Sequence, residues 1–404
     1  MKILILATTF PINSVDRVPR FIENQIINLK NSYPDLKFIV LAPDSSNHQI
    51  LDKSKFYKQI RFKYFWPNKM QTLTDGAVLN QLKSNYLNYL LVPFLVISQI
   101  FHLIKLVKKE APDLIYAHWF FPQAISAFIV SKIYKIPYVF TSHSSDVEIV
   151  DKKIPIIGKL IIKKICKEAK SISTPSKKVL EIIESFFSKE DFMKINAHVI
   201  PMGINTHQII KSEIHKKSHV KKILFIGRFS EKKGVETLIK AFDILSKKYE
   251  PQKLELILAG DGEEKNNYLR LTENLNLQSK IKFIGFVDED TKYQLLYSSD
   301  LLVVPSVKGS NGDVEGLPVV IIEGLYCKLP VLASIDTNAQ ELITHLENGF
   351  IVSEVNPNNL SEQIAQIFEL RSDELLSICD AGYETATKFD SQNNARSFYE
   401  LLIC

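Results

Sequence analysis

The sequence predicts an α/β protein with two Rossmann-like domains. Strand-like runs alternate with helix-like runs along the whole chain, which is the pattern of parallel βαβ units. The chain has 404 residues. Because one hydrophobic core rarely serves a chain of that length, two domains of about 200 residues each are expected. Hydrophobic residues make up 46% of the chain and charged residues 24%, which is typical of a globular protein and argues against disorder.

The first half reads as a parallel sheet with helices between its strands. We predict strands at 2–7, 37–41, 113–117, 138–141, 171–174 and 198–200, and helices at 20–30, 122–134 and 177–187. The loop after the first strand, 7–21, contains no glycine. A dinucleotide fingerprint needs G-x-G-x-x-G at that point, so NAD or FAD binding to this half is disfavoured. Arg20 in this loop is either a charge offered to an acidic acceptor or an exposed loop side chain.

Two segments of the first half suggest contact with a membrane. Residues 86–107 are the most apolar stretch and nearly long enough to cross a bilayer. Because Asn88, Pro93 and Gln99 interrupt the stretch, we expect a buried helix with a membrane-touching face rather than a transmembrane span. Residues 152–170 place isoleucine and leucine at helical spacing among lysines, which predicts a basic amphipathic helix. Its apolar side either packs on the domain or draws the protein to an anionic membrane, at about 1 kcal/mol per nearby lysine.

The cysteine content and charge suggest a cellular location. Four widely spaced cysteines predict neither a disulfide framework nor a zinc site and fit a reducing compartment. The apolar run before Thr8 is too short for a secretory signal. We therefore expect a cytoplasmic protein, with peripheral contact to the inner face of the cell membrane through 152–170. The net charge is +5, but the lysines are not interleaved with aromatic residues, so nucleic-acid binding is not expected.

Residues 309–334 (GSNGDVEGLPVVIIEGLYCKLPVLAS) carry the strongest functional signal. A polar, Gly-rich loop leads into an apolar run, and Pro318 suits the first turn of a helix there. The start of a helix presents unpaired N–H groups and a positive dipole end, which favour a phosphate. Glu315 precedes this helix, and Glu323 lies about two turns into it beside Gly324, which leaves room for a close neighbour. Because carboxylates accept hydrogen bonds from hydroxyl groups, their place beside a phosphate site indicates a nucleotide sugar.

Further candidate ligand-binding residues follow predicted strands. Arg228 and Lys233 lie on one loop of the second half, where their side chains can converge on a diphosphate. His118 and His143 follow two strands of the first half, and open α/β sheets bind ligands at the carboxyl ends of their strands. Each histidine is either an active-site residue or a hydrogen-bonded rim residue.

These motifs together resemble one enzyme family. Glu315 and Glu323, with Gly-Leu-Pro after the first glutamate, resemble the E-x7-E motif of retaining glycosyltransferase family 4, which has the GT-B fold. The loop G-R-x-x-x-x-K-G around Arg228 and Lys233 resembles the phosphate clamp of that family. The resemblance implies two Rossmann-like domains that face each other across a cleft. They would be an acceptor-binding domain at 1–205, a nucleotide-sugar-binding domain at 206–385 and a C-terminal helix at 386–404 that crosses back to the first domain.

The resemblance also implies roles for the donor-side residues. Glu315 would contact hydroxyls of the transferred sugar, and Glu323 would contact the ribose. Arg228 and Lys233 would bind the diphosphate and stabilise its charge as it leaves. The remaining donor-binding positions implied in this way are Gly285, Phe286, Gly316 and Leu317.

In the first domain, Thr141, His143 and Asp146 resemble the family's T-x-H-x-x-D stretch. By this resemblance His143 would approach the transferred sugar and join Glu315, Arg228 and Lys233 as a catalytic residue. The candidates for an acceptor contact, or for support of the site, are Arg20, His118 and Asp146.

The implied activity is retaining, metal-independent transfer of a hexose. The donor would be a UDP- or GDP-sugar and the acceptor a glycan or a lipid-linked acceptor, in cell-envelope polysaccharide or lipopolysaccharide synthesis. No cofactor is expected and no metal, since no D-x-D triplet stands out and residues 288–290 suit a helix start. Two alternatives stay open: a nucleotide-sugar epimerase of the same fold, and a catalytically inactive membrane-associated scaffold.

Overall fold

The structure is a computed structural model that describes residues 1–13, 16, 18–44, 54–74, 78, 81–82, 85–143, 146–147, 155–204, 220–248, 253–309 and 315–403. The chain forms two compact units. The first contains Met1–Met202 and Gln392–Cys404, and the second contains Gly203–Ser391. The domain boundary predicted at 205/206 lies outside the described residues.

The first unit is built on a seven-stranded parallel sheet in the order β3-β2-β1-β4-β5-β6-β7. Its strands are β1 Lys2–Leu6, β2 Lys37–Pro43, β3 Tyr57–Phe62, β4 Leu114–His118, β5 Tyr138–Thr141, β6 Ser171–Thr174 and β7 Ala197–Val199. The sequence analysis missed β3, whose residues YKQIRF mix charged and apolar side chains. β3 is an edge strand and only Phe62 at its end is buried, so it lacks the continuous apolar run of a central parallel strand.

Helices connect these strands. They are α1 Phe21–Ser32, α2 Val92–Glu110, α3 Ile125–Tyr134, α4 Pro155–Glu168, α5 Lys177–Glu184 and α6 Lys189–Phe192. The segment Tyr86–Glu110, which contains α2, is the one helical stretch of the described chain that is long and apolar enough to cross a membrane, and 33% of its apolar window is buried. The expectation of a buried helix is therefore correct for one face of α2 only. Of the predicted helix 152–170, residues 152–154 lie outside the described part.

The second unit is built on a six-stranded parallel sheet in the order β10-β9-β8-β11-β12-β13. Its strands are β8 Lys221–Ile226, β9 Leu254–Ala259, β10 Ile281–Gly285, β11 Leu301–Val304, β12 Val331–Ser334 and β13 Phe350–Val352. Its helices are α7 Val235–Lys248, α8 Lys265–Asn274, α9 Glu289–Ser298, α10 Val319–Tyr326, α11 Pro357–Glu369 and α12 Ser372–Thr387. Aliphatic side chains of β9, β11 and β12 are fully buried because helices cover both faces of the sheet.

The last helix, α13 Ser391–Ile403, packs on the first unit. The Ser171 hydroxyl donates a hydrogen bond to the Leu401 carbonyl at 2.8 Å. The Tyr399 ring stacks on Tyr33 with ring centroids 3.8 Å apart. These contacts tie the chain end to the strand and helix layers of this unit.

Both sheets reverse their strand order at one point, between β1 and β4 in the first unit and between β8 and β11 in the second. In open α/β sheets, ligands bind outside the carboxyl ends of the strands at such a switch point. The loops after these four strands carry half of the residues selected from the sequence, among them Arg20, Arg228, Lys233 and Glu315.

Candidate functional site

The loop after β8 presents a cluster of cations in the second unit. A 3₁₀ turn, Glu231–Lys233, ends at Gly234, whose φ of 67° lies in the left-handed region. A Cβ atom at Gly234 would lie 1.9 Å from the Pro305 carbonyl oxygen, so only glycine allows this turn to approach the end of β11. The glycine thereby fixes the position of Lys233.

Glu315 lies against this cluster. Its Oε1 is 3.0 Å from Lys233 Nζ and 3.5 Å from Lys232 Nζ, and its side chain is 13% exposed. Burial alone would raise the pKa of Glu315, but the two ammonium groups outweigh burial and lower the pKa below its ordinary value. Glu315 is therefore an ionised acceptor beside two cations. The sequence analysis missed Lys232, which carries no motif signal of its own.

Arg228 lies on the same loop but has a different partner. Its Nε is 3.0 Å from Glu263 Oε2, and both side chains are nearly half exposed. The structure thus brings Lys233 to Glu315 and Arg228 to Glu263. Both cations lie at the carboxyl end of β8.

Glu323 is buried in a second ionic cluster. α10 begins at Val319 with Pro318 as its N-cap, one residue later than expected, so Glu323 lies about one turn into the helix rather than two. Its Oε1 is 2.6 Å from Lys292 Nζ of α9, which also contacts Glu289 at 2.9 Å. Burial lowers the pKa of Lys292, but the two carboxylates outweigh burial and raise it.

The two glutamates of the motif therefore differ in environment. Burial raises the pKa of Glu323, and Lys292 counteracts this change. The predicted close neighbour of Gly324 is confirmed, since a Cβ atom there would lie 2.6 Å from the Leu302 side chain. This close packing presses α10 onto β11. Lys292 is a further residue that the sequence analysis missed, because no motif marks a lysine that reaches Glu323 from another helix.

The turn that leads into α10 is held by Asn338. The Asn338 side-chain amide donates to the carbonyl oxygens of Glu315 and Gly316, each at 2.7 Å. Asn338 is fully buried and has φ of 58°, a conformation that asparagine tolerates better than most residues. It therefore fixes the backbone beside Leu317. Residues 310–314 of the predicted loop lie outside the described part of the chain.

Gly285 and Phe286, the predicted base-binding positions, lie at the end of β10. Gly285 has φ of 80° and its carbonyl accepts a hydrogen bond from Gly260 N at 2.8 Å. Phe286 is 48% exposed. The two residues are thus available at the carboxyl edge of the second sheet. Residues 288–290 begin α9, as predicted, and Asp288 caps it through a bond from Thr291 N at 2.9 Å.

In the first unit, His118 and His143 lie in direct contact. His118 Nδ1 is 3.0 Å from His143 Nε2, and the two rings stack with centroids 5.2 Å apart. Phe21 and Trp119 border His143, with ring centroids 5.0 and 4.9 Å from it. This aromatic border was not predicted from the sequence. Phe21, Trp119 and His143 nevertheless follow β1, β4 and β5, which are neighbouring strands of the sheet.

Asp146 holds the loop that carries Trp119. Its Oδ2 accepts a hydrogen bond from Phe120 N at 2.6 Å, and its Oδ1 accepts one from the Ser142 hydroxyl. Trp119 has φ of 73°, which is strained for a bulky side chain and indicates a position over-determined by its surroundings. Asp146 is buried, so its role in the structure is to position this loop. Residues 144 and 145 lie outside the described chain.

Of the two predictions for Arg20, that of an exposed loop side chain is wrong. It is the N-cap residue of α1, its side chain is 24% exposed, and Nη1 is 2.5 Å from Glu23 Oε2. Nη2 donates to the Asn13 carbonyl at 2.6 Å. Arg20 thus pins the loop after β1.

Both histidines of the pair are held neutral. Burial lowers the pKa of His118 well below its ordinary value, and a charge on neighbouring His143 would lower it further. Burial lowers the pKa of His143 to about 3. Because the folded pKa is below the unfolded one, the unfolded chain takes up protons below about pH 6.5 that the folded chain does not, so stability falls as pH falls from there.

We expect the pH dependence of stability to depend on His118, which is fully buried. Between pH 6 and pH 5 the free energy of unfolding should fall by about 1.2 kcal/mol less in His118→Asn than in wild type. The measurement is urea unfolding at each pH. His198→Asn, at an exposed position, should keep the wild-type slope. An unchanged slope in His118→Asn would contradict a neutral buried imidazole.

Across the described ranges, no three His, Cys, Asp or Glu side chains are grouped as a metal site would need.

Two family models match most of the chain between them. Residues 207–384 match the family model of glycosyl transferases group 1, and residues 64–208 match that of glycosyltransferase family 4. The chain is a glycosyltransferase of the group 1 and family 4 type. Among relatives of this glycosyltransferase, the uncharacterized glycosyltransferase MJ1178 of Methanocaldococcus jannaschii is 25% identical over 408 residues, which cover 100% of this chain and 99% of the relative.

Other relatives of the glycosyltransferase are named for the biosynthesis of teichuronic acid and amylovoran. TuaC of Bacillus subtilis, a candidate teichuronic acid biosynthesis glycosyltransferase, is 25% identical and covers 99% of this chain and 97% of its own. The amylovoran biosynthesis glycosyltransferase AmsK of Erwinia amylovora is 26% identical over 52% of this chain and 50% of its own.

Solved structures confirm the GT-B fold of the glycosyltransferase. Sucrose-phosphate synthase from Thermosynechococcus elongatus superposes with a TM-score of 0.76 at 18% identity, covering 99% of this chain and 98% of its own. HepE of Anabaena in complex with UDP gives a TM-score of 0.70 at 19% identity, covering 99% of both chains.

Proposed function

We propose that this glycosyltransferase moves a sugar from a nucleotide diphosphate sugar to a glycan or lipid-linked acceptor, with retention and without a metal ion. One observation carries the proposal: the ionised Glu315, with 13% of its side chain exposed, lies against Lys233 and Lys232 at the carboxyl end of β8. A carboxylate that accepts from hydroxyls, beside cations that bind phosphate, suits a ligand with both groups.

The diphosphate would replace carboxylates as the partner of the cations. Without ligand, Lys233 is paired with Glu315 and Arg228 with Glu263. A diphosphate carries more charge than either carboxylate and can bind Arg228 bidentately and Lys233 as a point charge. Glu315 would then be released to accept hydrogen bonds from the hydroxyls of the transferred sugar.

The ribose would bind at Glu323. Lys292 of α9 holds this carboxylate in place at 2.6 Å. Glu289 of the same helix in turn contacts Lys292. A carboxylate that is already ordered loses less side-chain entropy when it binds a ribose. Gly285 and Phe286 would contact the base. A uracil base agrees with HepE, whose structure is in complex with UDP, although a GDP-sugar fits the same groups.

The acceptor sugar would bind the first unit at Phe21 and Trp119, beside His143, which would contact the transferred sugar. Aromatic rings present apolar faces on which a sugar ring can pack, and a neutral imidazole can bond a hydroxyl. Asp146 and His118 would position Trp119 and His143 respectively, through the contacts described above.

The transfer step needs no enzyme nucleophile in this proposal. The bond between the anomeric carbon and the diphosphate oxygen breaks, and the acceptor oxygen bonds to the same face of that carbon. The acceptor proton passes to the departing diphosphate oxygen. Arg228 and Lys233 would stabilise the negative charge that grows on the diphosphate.

The names of the relatives support a proposal for the biological setting. TuaC and AmsK are named for teichuronic acid and amylovoran biosynthesis, so we assign this enzyme to cell-envelope polysaccharide or lipopolysaccharide synthesis. Its nucleotide-sugar donor would be met in the cytoplasm.

Thermal unfolding with added nucleotides tests the donor class. A ligand at 100 times its Kd adds about 2.7 kcal/mol of stability. UDP or GDP and the matching nucleotide sugars are expected to raise the Tm, whereas ADP and AMP should leave it unchanged. The same assay with EDTA checks whether nucleotide binding needs a metal ion, and initial rates with EDTA check the same for transfer. If no nucleotide stabilises the folded protein, the donor assignment is wrong.

A further inference from the structure

One face of α2 is apolar and open to solvent. Five large side chains follow one another at alternating spacings of three and four residues, which places them on a single side of the helix. They are Leu87 and Leu90 of the 3₁₀ segment Tyr86–Leu91 that leads into α2, and Phe94, Ile97 and Phe101 of α2, between 50% and 68% exposed. We call this set the α2 stripe. The opposite side of the helix carries Leu95 and Leu103, which are fully buried against the sheet.

Lysines continue the α2 stripe at its carboxyl end. Lys105 and Lys108 follow at the same helical spacing, and both are exposed. The Lys105 ammonium lies 4.4 Å from the centroid of the Phe101 ring, so its stem covers the end of the stripe while its charge stays in water. An apolar band that ends in lysines is the composition of a helix at a membrane interface.

Aromatic residues flank the α2 stripe. Trp66 is 85% exposed, and its neighbour Phe65 packs edge-on against Phe94 with ring centroids 5.0 Å apart. Tyr86 is 80% exposed at the start of the helical segment. Tryptophan and tyrosine are enriched at the level of the lipid headgroups.

The neighbouring helices extend this composition. α2 packs against α3, and α3 against α4. Ile133 of α3 and Ile156, Ile157 and Leu160 of α4 are all more than half exposed. Lys132 and Lys164 both lie 5.8 Å from the Phe128 ring, and Glu168 pairs with Lys132.

We propose that the α2 stripe, with the adjoining lysines, docks the enzyme on the surface of an anionic lipid bilayer. The helix lies flat in the interface and does not span, because Leu95 and Leu103 belong to the protein core. The other occupant to distinguish is a second copy of this chain, which the oligomeric state in solution would reveal. The inference does not depend on the donor, so its failure would leave the proposed transfer intact.

Vesicle sedimentation tests the docking. The full chain should sediment with vesicles of phosphatidylcholine and phosphatidylglycerol and less with phosphatidylcholine alone. Leu90→Gln/Ile97→Gln should bind the anionic vesicles at least about tenfold more weakly, because each loses an apolar side chain from the interface. Lys105→Gln/Lys108→Gln should remove most of the preference for phosphatidylglycerol. Leu346→Gln/Leu376→Gln, exposed positions in the second unit, should bind like wild type.

A second readout needs no change in the α2 stripe. Trp66 fluorescence should shift to the blue on addition of anionic vesicles, and Trp66→Phe should lose that shift while Trp119 remains. Wild-type binding by Leu90→Gln/Ile97→Gln, or absence of vesicle binding by the wild type, would overturn the proposal. A dimer in solution that Leu90→Gln/Ile97→Gln abolishes, without any vesicle binding, would assign the stripe to a second copy instead.

Discussion

Lys233→Ala is expected to lower kcat/KM for the nucleotide sugar at least about tenfold. A hydrogen bond between charged groups contributes about 1.5–3 kcal/mol, and 1.4 kcal/mol already corresponds to a factor of ten. Part of the loss should fall on kcat, because the charge on the departing diphosphate grows in the transition state. The protein should stay folded, since Glu315 keeps Lys232 at 3.5 Å. Initial rates of nucleotide release measure the effect.

The matched control for this variant is Lys240→Ala. Lys240 also forms an ion pair, with Glu236 at 2.6 Å, but on the exposed surface of α7. It should retain wild-type turnover. If Lys233→Ala turns over like wild type with an unchanged Tm, Lys233 does not bind the donor.

Glu323→Gln is expected to lower kcat/KM at least about tenfold as well, mainly through a higher KM. The amide keeps the shape of the side chain but replaces one charged acceptor of the ribose hydroxyls, a loss of about 1.5–3 kcal/mol. It also leaves Lys292, whose side chain is 13% exposed, with Glu289 as its remaining carboxylate. The Tm should therefore fall, by less than the removal of both carboxylates would cause.

Glu289→Gln distinguishes an effect of Glu323 on ribose binding from an effect on the stability of the fold. It removes the other carboxylate of the same lysine, at 2.9 Å, and Glu289 is not expected to contact the ribose. A similar loss of Tm with a nearly normal KM would assign the kinetic effect to Glu323 itself. If both variants change KM equally, Glu323 acts only as a structural partner of Lys292.

Local sequence determined the GT-B fold and the positions of the motif residues in it. Hydrophobic runs and turn residues are visible in a short stretch of sequence. For this reason β5 and β6 were predicted with the bounds that the structure has. A functional motif such as Glu315 to Glu323 spans one loop and one helix, so its spacing is visible without the fold. β3 was missed because an edge strand needs less apolar surface than a central one.

Contacts between distant segments were decided by the tertiary structure. Lys292 reaches Glu323, and Asn338 holds Glu315, across 31 and 23 residues of sequence. Burial and ion pairing at such sites depend on which elements pack together, and no local pattern encodes that choice.

The sequence by itself determined that α2 is apolar and that two glutamates, an arginine and a lysine stand at positions that resemble the family's motifs. The tertiary structure decided which face of α2 stays exposed and which partners hold the glutamates. The physical reason is that composition sets how much apolar surface and charge a segment carries, whereas packing sets which part of it loses contact with water.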